Sequence, residues 1–123
     1  DQDRLAGVIL FTPIRFDGDD RTILLMAPVA VAPAWQGRGV GQTLITHALA
    51  VLQKDGIAAA LTYGDPAFYG KTGFTPISPT DVPPPYPLSQ PEGWLGQSLT
   101  GAPLGRITGP GRCVPGFDDP AFW

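Results

Sequence analysis

At 123 residues, 43% of them hydrophobic, the chain is sized for one small domain with a single core rather than two full ones. Its formal charge of −3, with only eight Lys and Arg residues scattered along the chain, excludes a sequence-independent grip on nucleic acid, which needs clustered cations to displace counterions. Cys113 is the one cysteine, so neither an internal disulfide nor a cysteine-based zinc site can form; no apolar run approaches the ~20 residues of a membrane span, and Asp1-Gln2-Asp3-Arg4 lacks the pattern of a signal peptide, so a soluble cytoplasmic protein without a membrane partner is expected.

Leu5 to Phe16 is largely apolar and β-prone and reads as a strand. Asp17-Gly18-Asp19-Asp20 turns the chain into a second apolar run, Ile23 to Val31, and the two predict an antiparallel hairpin. Pro28 removes a ladder donor, so the second strand is expected to be disrupted just before its C-terminal end. After Ala32-Pro33-Ala34-Trp35 comes the glycine-rich stretch Gln36-Gly37-Arg38-Gly39-Val40-Gly41, then a helix from about Val40 to Asp55. Val40, Leu44, Ala48, Val51 and Leu52 form its expected apolar face, and Gly56 its C-terminal stop. Ile57 to Tyr63 has the continuous apolar character of a strand buried on both faces. Asp65-Pro66 supplies an N-cap and a first-turn proline for a short helix, Ala67 to Thr72, that Gly73 ends; Phe74 to Ile77 begins another strand. A strand, helix and strand of these lengths predict a right-handed crossover with both strand C-termini on one sheet edge, where ligands gather.

From Pro76 to Pro120 the chain carries eleven of its fifteen prolines, and Val82-Pro83-Pro84-Pro85-Tyr86-Pro87 forbids helix. Trp94, Leu95, Leu99, Phe117, Phe122 and Trp123 nevertheless give this segment enough apolar surface to dock. The chain therefore reads as one domain, residues 1–77 forming the core and 78–123 a loop-rich tail packed on it.

Glycines at 37, 39 and 41 let the backbone turn tightly and present several N–H groups, and the helix beginning there adds its unpaired donors and positive dipole end. Together they make an anion cradle suited to a phosphate or pyrophosphate. Arg38 either adds a charged contact or points into solvent. A Walker loop fails because position 42 is Gln, and a dinucleotide fingerprint starting at Gly37 fails for want of glycine there.

What remains, Gln-x-x-Gly-x-Gly after a disrupted strand and before a helix, resembles the central motif of the GNAT acetyltransferases. Gly64-Asp65-Pro66-Ala67-Phe68-Tyr69-Gly70-Lys71-Thr72-Gly73-Phe74 is similar to a second segment of that family, and its Gly-Asp-Pro start resembles the subgroup called YhbS-like. The resemblance covers Leu5 to Ile77 and implies a mixed α/β sheet of the acyl-CoA N-acyltransferase type, lacking its N-terminal part. It also implies acetyl-CoA as cosubstrate and no metal. The pyrophosphate then falls to the backbone of Gln36, Gly37, Arg38, Gly39, Val40 and Gly41, and the pantetheine arm to the backbone of Val29, Ala30 and Val31. An N–H freed by a bulge there would stabilise the tetrahedral oxyanion. Tyr69 matches the position assigned as general acid for the departing thiolate; with phenol at pKa ~10 against ~8.5 for a cysteine-like thiol, it would serve chiefly as a hydrogen-bond donor to sulfur, beside simple packing against Phe68.

No general base stands out. Glu92, the only glutamate, lies in the tail; Asp65 is committed as an N-cap; His47 is expected at a helix-face boundary rather than at the chemistry. Trp35 and the tail aromatics read as packing, and Asp17, Asp19 and Asp20 as a solvated turn rather than a cation site. The expected activity is acetyl transfer to a primary amine of a small molecule or protein, the alternative a catalytically weak acyl-CoA-binding module. The family's first strand and two N-terminal helices, which form part of the acceptor wall, find no match in this sequence, so it is expected to be a fragment, a chain whose wall another polypeptide supplies, or a reduced form; an exposed strand edge at Leu5 to Phe16 would otherwise invite homodimer formation.

Overall fold

The structure is a computed structural model that describes residues 7–16, 18–31, 39–107, 111–113, 120 and 123, with backbone alone at 7–8, 27–31 and 40. Strands β1 (Gly7–Phe16), β2 (Ile23–Val31), β3 (Ala59–Tyr63), β4 (Thr75–Pro76), β5 (Trp94–Ser98) and β6 (Gly111–Cys113) form one six-stranded sheet in the order β4-β5-β3-β2-β1-β6. Helix α1 (Val40–Lys54) joins β2 to β3, and α2 (Pro66–Tyr69) runs into a 3-10 turn at Gly70–Thr72.

β1 and β2 form the expected antiparallel hairpin, tied at its turn by Arg21, whose side chain donates to both Asp19 carboxylate oxygens, at 2.7 Å for the shortest bond, and to the Leu104 carbonyl at 3.0 Å. Those hydrogen bonds hold the Asp19 carboxyl below its usual pKa against the opposing effect of burial, and they use up the carboxylate that the sequence left as a weak cation candidate. Asp17 lies outside the described residues. The pairing shifts register between Ile9↔Val29 and Phe11↔Met26, so β2 carries one extra residue at Ala27–Pro28. This is the bulge that Pro28 predicts, since a residue without an N–H cannot hold a ladder position. β2 and β3 then pair in parallel around α1, as the crossover requires.

Side-chain alternation divides the core in two. Ile14, Phe16, Ile23, Leu25, Leu61 and Trp94 pack on one face beneath Val82, Ile107 and Trp123 of the tail. Met26, Ala60, Leu95 and Leu99 meet Ile45 and Leu49 of α1 and Phe74 on the other. The apolar face of α1 thus runs through Gly41, Ile45, Leu49 and Leu52, one residue round from the expected stripe, and Val51 is 45% exposed. The helix is apolar on more than one side, and Gly41, buried but without a side chain, adds no weight to a periodicity. Its C-terminus ends as the sequence predicts. Gly56 takes φ +83° and donates to the Gln53 carbonyl, while Ile57 donates to Leu52, a paired closure of the last turn.

The tail departs from expectation. It docks, but not as loops alone: β5 inserts beside β3, pairing from Ala59↔Ser98 to Tyr63↔Trp94, and β6 covers the Ile14–Phe16 part of the β1 edge. Proline density hid these strands, because their short runs lie between prolines rather than within them. Trp94 is fully buried and its indole N–H donates to the Val82 carbonyl at 2.9 Å, closing the tail over the sheet.

Candidate active site

The C-terminal ends of β2 and β3, the start of α1 and the whole of α2 share one edge of the sheet by the topology of the parallel crossover. β2 and β3 pair only from Ile23↔Ala59 to Leu25↔Leu61; beyond that point they do not pair, although β3 continues to Tyr63 and β2 to Val31. Where the pairing ends, the buried Thr62 hydroxyl donates to the Met26 carbonyl at 2.8 Å. Val29, Ala30 and Val31 lie on β2 past the bulge, and their backbone pairs with β1 on the other side.

Gly39 is the N-cap of α1, left-handed at φ +74°, with no side-chain cap and no acidic residue in the first turn. An ideal Cβ at Gly39 would meet nothing within 4 Å, so glycine is demanded here by the backbone angle and not by crowding. The first turn therefore presents backbone donors and a positive dipole end without an internal carboxylate to neutralise them. Val40 and Gly41 form that turn, and Gly41 is buried. Gln36, Gly37 and Arg38 lie outside the described residues, as does Trp35.

Tyr69 ends α2. Asp65 caps the helix, its carboxylate accepting from the Ala67 N–H at 2.9 Å, and the Thr72 hydroxyl donates to the Tyr69 carbonyl at 2.7 Å. The ring is edge-on to Phe68 at 4.9 Å and to Phe74 at 6.1 Å. It also lies against Gly64, where a Cβ would come within 2.6 Å of the ring. Burial first, and the nearby Asp65 carboxylate second, raise the phenol above its ordinary pKa of 10.0. Tyr69 is thus protonated at neutral pH, a donor held in place on the edge of the sheet by packing on three sides.

The other candidates fall as read. Asp65 is occupied by its cap, Glu92 is exposed, and His47 is exposed in a shallow recess of about 540 Å³ along α1 that Gly39, Thr43 and Thr46 also line. A recess of about 490 Å³ at the hairpin end, between Arg15 and Thr22, lies at the opposite end of β2 from these groups. Sequence reasoning missed how far the tail shapes the site. Gly93 accepts from the Gly64 N–H at 2.9 Å, and a Cβ on Gly93 would fall 2.8 Å from the Gly64 carbonyl. The Gln97 side chain donates to the Thr72 carbonyl at 3.1 Å. No local pattern announces such contacts, which join segments about 25 to 30 residues apart.

A mixed sheet whose central parallel strands part beside a bulge, with a glycine-led helix at the opening, defines the acyl-CoA N-acyltransferase fold. The chain belongs to the acetyltransferase (GNAT) domain family, whose sequence model matches residues 1–76, and it is of the YhbS-like kind. It is 35% identical over 116 residues to the uncharacterized N-acetyltransferase YjhQ of Escherichia coli K12, covering 90% of this chain and 64% of YjhQ. The crystal structure of the GNAT family N-acetyltransferase YhbS from Escherichia coli in complex with CoA superposes with a TM-score of 0.86 at 28% identity, over 97% of this chain and 66% of that one. A GNAT family acetyltransferase from Brucella melitensis in complex with acetyl-CoA gives 0.69 at 26% identity, over 92% and 61%. The chain spans about two thirds or less of the length of each. Among the described residues no helix is long and apolar enough to cross a membrane.

Proposed function

We propose that the protein transfers an acetyl group from acetyl-CoA to a primary amine of a small molecule or of another protein. The observation that carries this reading is the parting of β2 from β3 past Leu25↔Leu61, next to a bulge and below an uncapped, glycine-led helix start. The CoA and acetyl-CoA complexes of the two structural relatives support the choice of donor.

In this reading the backbone of Gln36 to Gly41 holds the pyrophosphate, Arg38 adds charge, and Val29, Ala30 and Val31 pair with the pantetheine arm as an added strand would. The amine lone pair attacks the thioester carbonyl carbon, forming the C–N bond; an N–H freed at the bulge stabilises the oxyanion. Collapse breaks the C–S bond, the nitrogen loses its proton to solvent, and Tyr69 offers its hydroxyl proton to the departing sulfur. Its raised pKa makes full transfer to a thiolate uphill, so the contribution is a hydrogen bond that strengthens as charge develops. With Asp65 committed and His47 and Glu92 exposed, the acceptor enters as a neutral amine. Acetyl-CoA as donor suits a cytoplasmic setting.

Thermal shift with acetyl-CoA, ATP and NAD, followed by CoA-thiol release with a panel of amines, tests the proposal. Stabilisation by acetyl-CoA with turnover is expected. Stabilisation by ATP or NAD alone would contradict the reading, and binding without turnover would leave an acyl-CoA-binding module.

A further inference from the structure

We propose that Thr62 is a positioning residue that fixes the opening between β2 and β3, and through it the backbone that receives the acyl-CoA arm. The inference rests on the acyl-CoA reading above and adds a side chain to a site otherwise built from backbone.

Three features meet at one place. The parallel pairing of β2 with β3 ends at Leu25↔Leu61. The extra residue of β2 follows at Ala27–Pro28, where proline offers no N–H. Between them Met26 is fully buried, and its carbonyl accepts a 2.8 Å hydrogen bond from the Thr62 hydroxyl. Thr62 is 1% exposed and is the one polar side chain fully buried among the described residues.

A polar group taken out of water must be paired, and leaving a buried acceptor orphaned costs about 1 to 3 kcal/mol. Where two strands part inside a core, the last carbonyl on the inner edge faces that penalty. The usual remedies are another rung of the ladder, which would close the gap, or a water molecule, which would loosen it. A hydroxyl on the neighbouring strand offers a third remedy: it satisfies the carbonyl through a side chain and lets the two backbones diverge from a fixed point. Threonine suits this, because it sits opposite Leu95 on the neighbouring strand, where its methyl group is compatible with an apolar interior, while its branched Cβ restricts the hydroxyl to few directions. The divergence begins one residue before the bulge, so the hydroxyl sets the course of Val29, Ala30 and Val31.

The test is calorimetric binding of acetyl-CoA to the wild type, Thr62→Val, Thr62→Ser and Thr62→Cys, with steady-state kinetics and melting temperatures alongside. Thr62→Val keeps the shape and loses the donor, so Kd and KM for acetyl-CoA should rise about tenfold while kcat at saturation changes less. Thr62→Ser should restore affinity to within about twofold, and Thr62→Cys, a weak donor, should fall between. Wild-type affinity in folded Thr62→Val overturns the inference even if its melting temperature drops, since that pattern marks a purely structural hydroxyl. Should Thr62→Val not fold, wild-type affinity in Thr62→Cys overturns it equally. Failure of the wild type to bind acetyl-CoA would instead overturn the functional reading and this inference with it.

Discussion

Tyr69 shows how one side chain can be both packed and poised. Its ring touches Phe68, Phe74 and the bare backbone of Gly64, yet the residue is only half-buried and keeps its proton. Tyr69→Phe should therefore leave acetyl-CoA affinity nearly unchanged and lower kcat on the order of tenfold to a hundredfold, as steady-state kinetics would show. The reverse pattern would reduce Tyr69 to a binding or packing contact. Because its pKa is raised in the folded state, its stabilising effect is complete below the ordinary value of about 10 and is lost as pH rises through the folded one. Ultraviolet titration should thus find a late-ionising phenol among the three tyrosines, absent from Tyr69→Phe. Gly64→Ala is the companion experiment. A methyl group 2.6 Å from the ring edge must displace Tyr69, so kcat should fall with the phenol still present. The sequence marked Tyr69 through its motif. It marked Gly64 too, at the Gly-Asp-Pro start of the same motif, but not the reason for glycine there, which is a contact with a ring five residues away rather than a turn.

At the level of elements, the two ends of α1 obey different constraints. The C-terminus is a local matter, closed by Gly56 and the Ile57 and Leu52 backbones, and was legible from composition alone. The N-terminus lacks any such closure: it is left-handed at Gly39, without a side-chain cap, and has open space beside the Cα. Gly39→Ala should accordingly cost about 1 to 2 kcal/mol of stability for the backbone angle, readable by denaturant titration. Gly39→Glu should also abolish acetyl-CoA binding, because a carboxylate would then occupy the cradle; retained affinity would remove pyrophosphate from this helix start. The bulge at Ala27–Pro28 was equally legible, since proline cannot donate to a ladder. The buried face of α1 was not. Several apolar stripes compete on that helix, and the winner is set by which one meets Met26, Ala60 and Leu95 across the interface.

Across the whole molecule, the proline-rich tail is structural rather than appended. Trp94 lies in the centre of the core and donates to Val82, so Trp94→Phe should leave that carbonyl unpaired and a partial void behind it, at a cost of about 2 to 4 kcal/mol in urea unfolding. Sequence patterning could see that the tail carried enough apolar surface to dock, but β5 is defined by pairing with β3, a partner about 35 residues upstream, and such long-range register leaves no local trace. The insertion of β5 has a consequence for how the protein is made. The family-matched segment, residues 1–76, ends before β5, the strand that joins β4 to β3, so a truncation after residue 76 is expected to leave that sheet incomplete. During synthesis at roughly 5 to 20 residues per second, the outer edge of β3 stands unpaired for about 2 to 7 s between the emergence of Tyr63 and that of Ser98. For that interval a strand whose first four residues are buried in the finished sheet is a sticky, half-covered surface, and the prolines of the intervening segment disfavour premature pairing of that stretch with it.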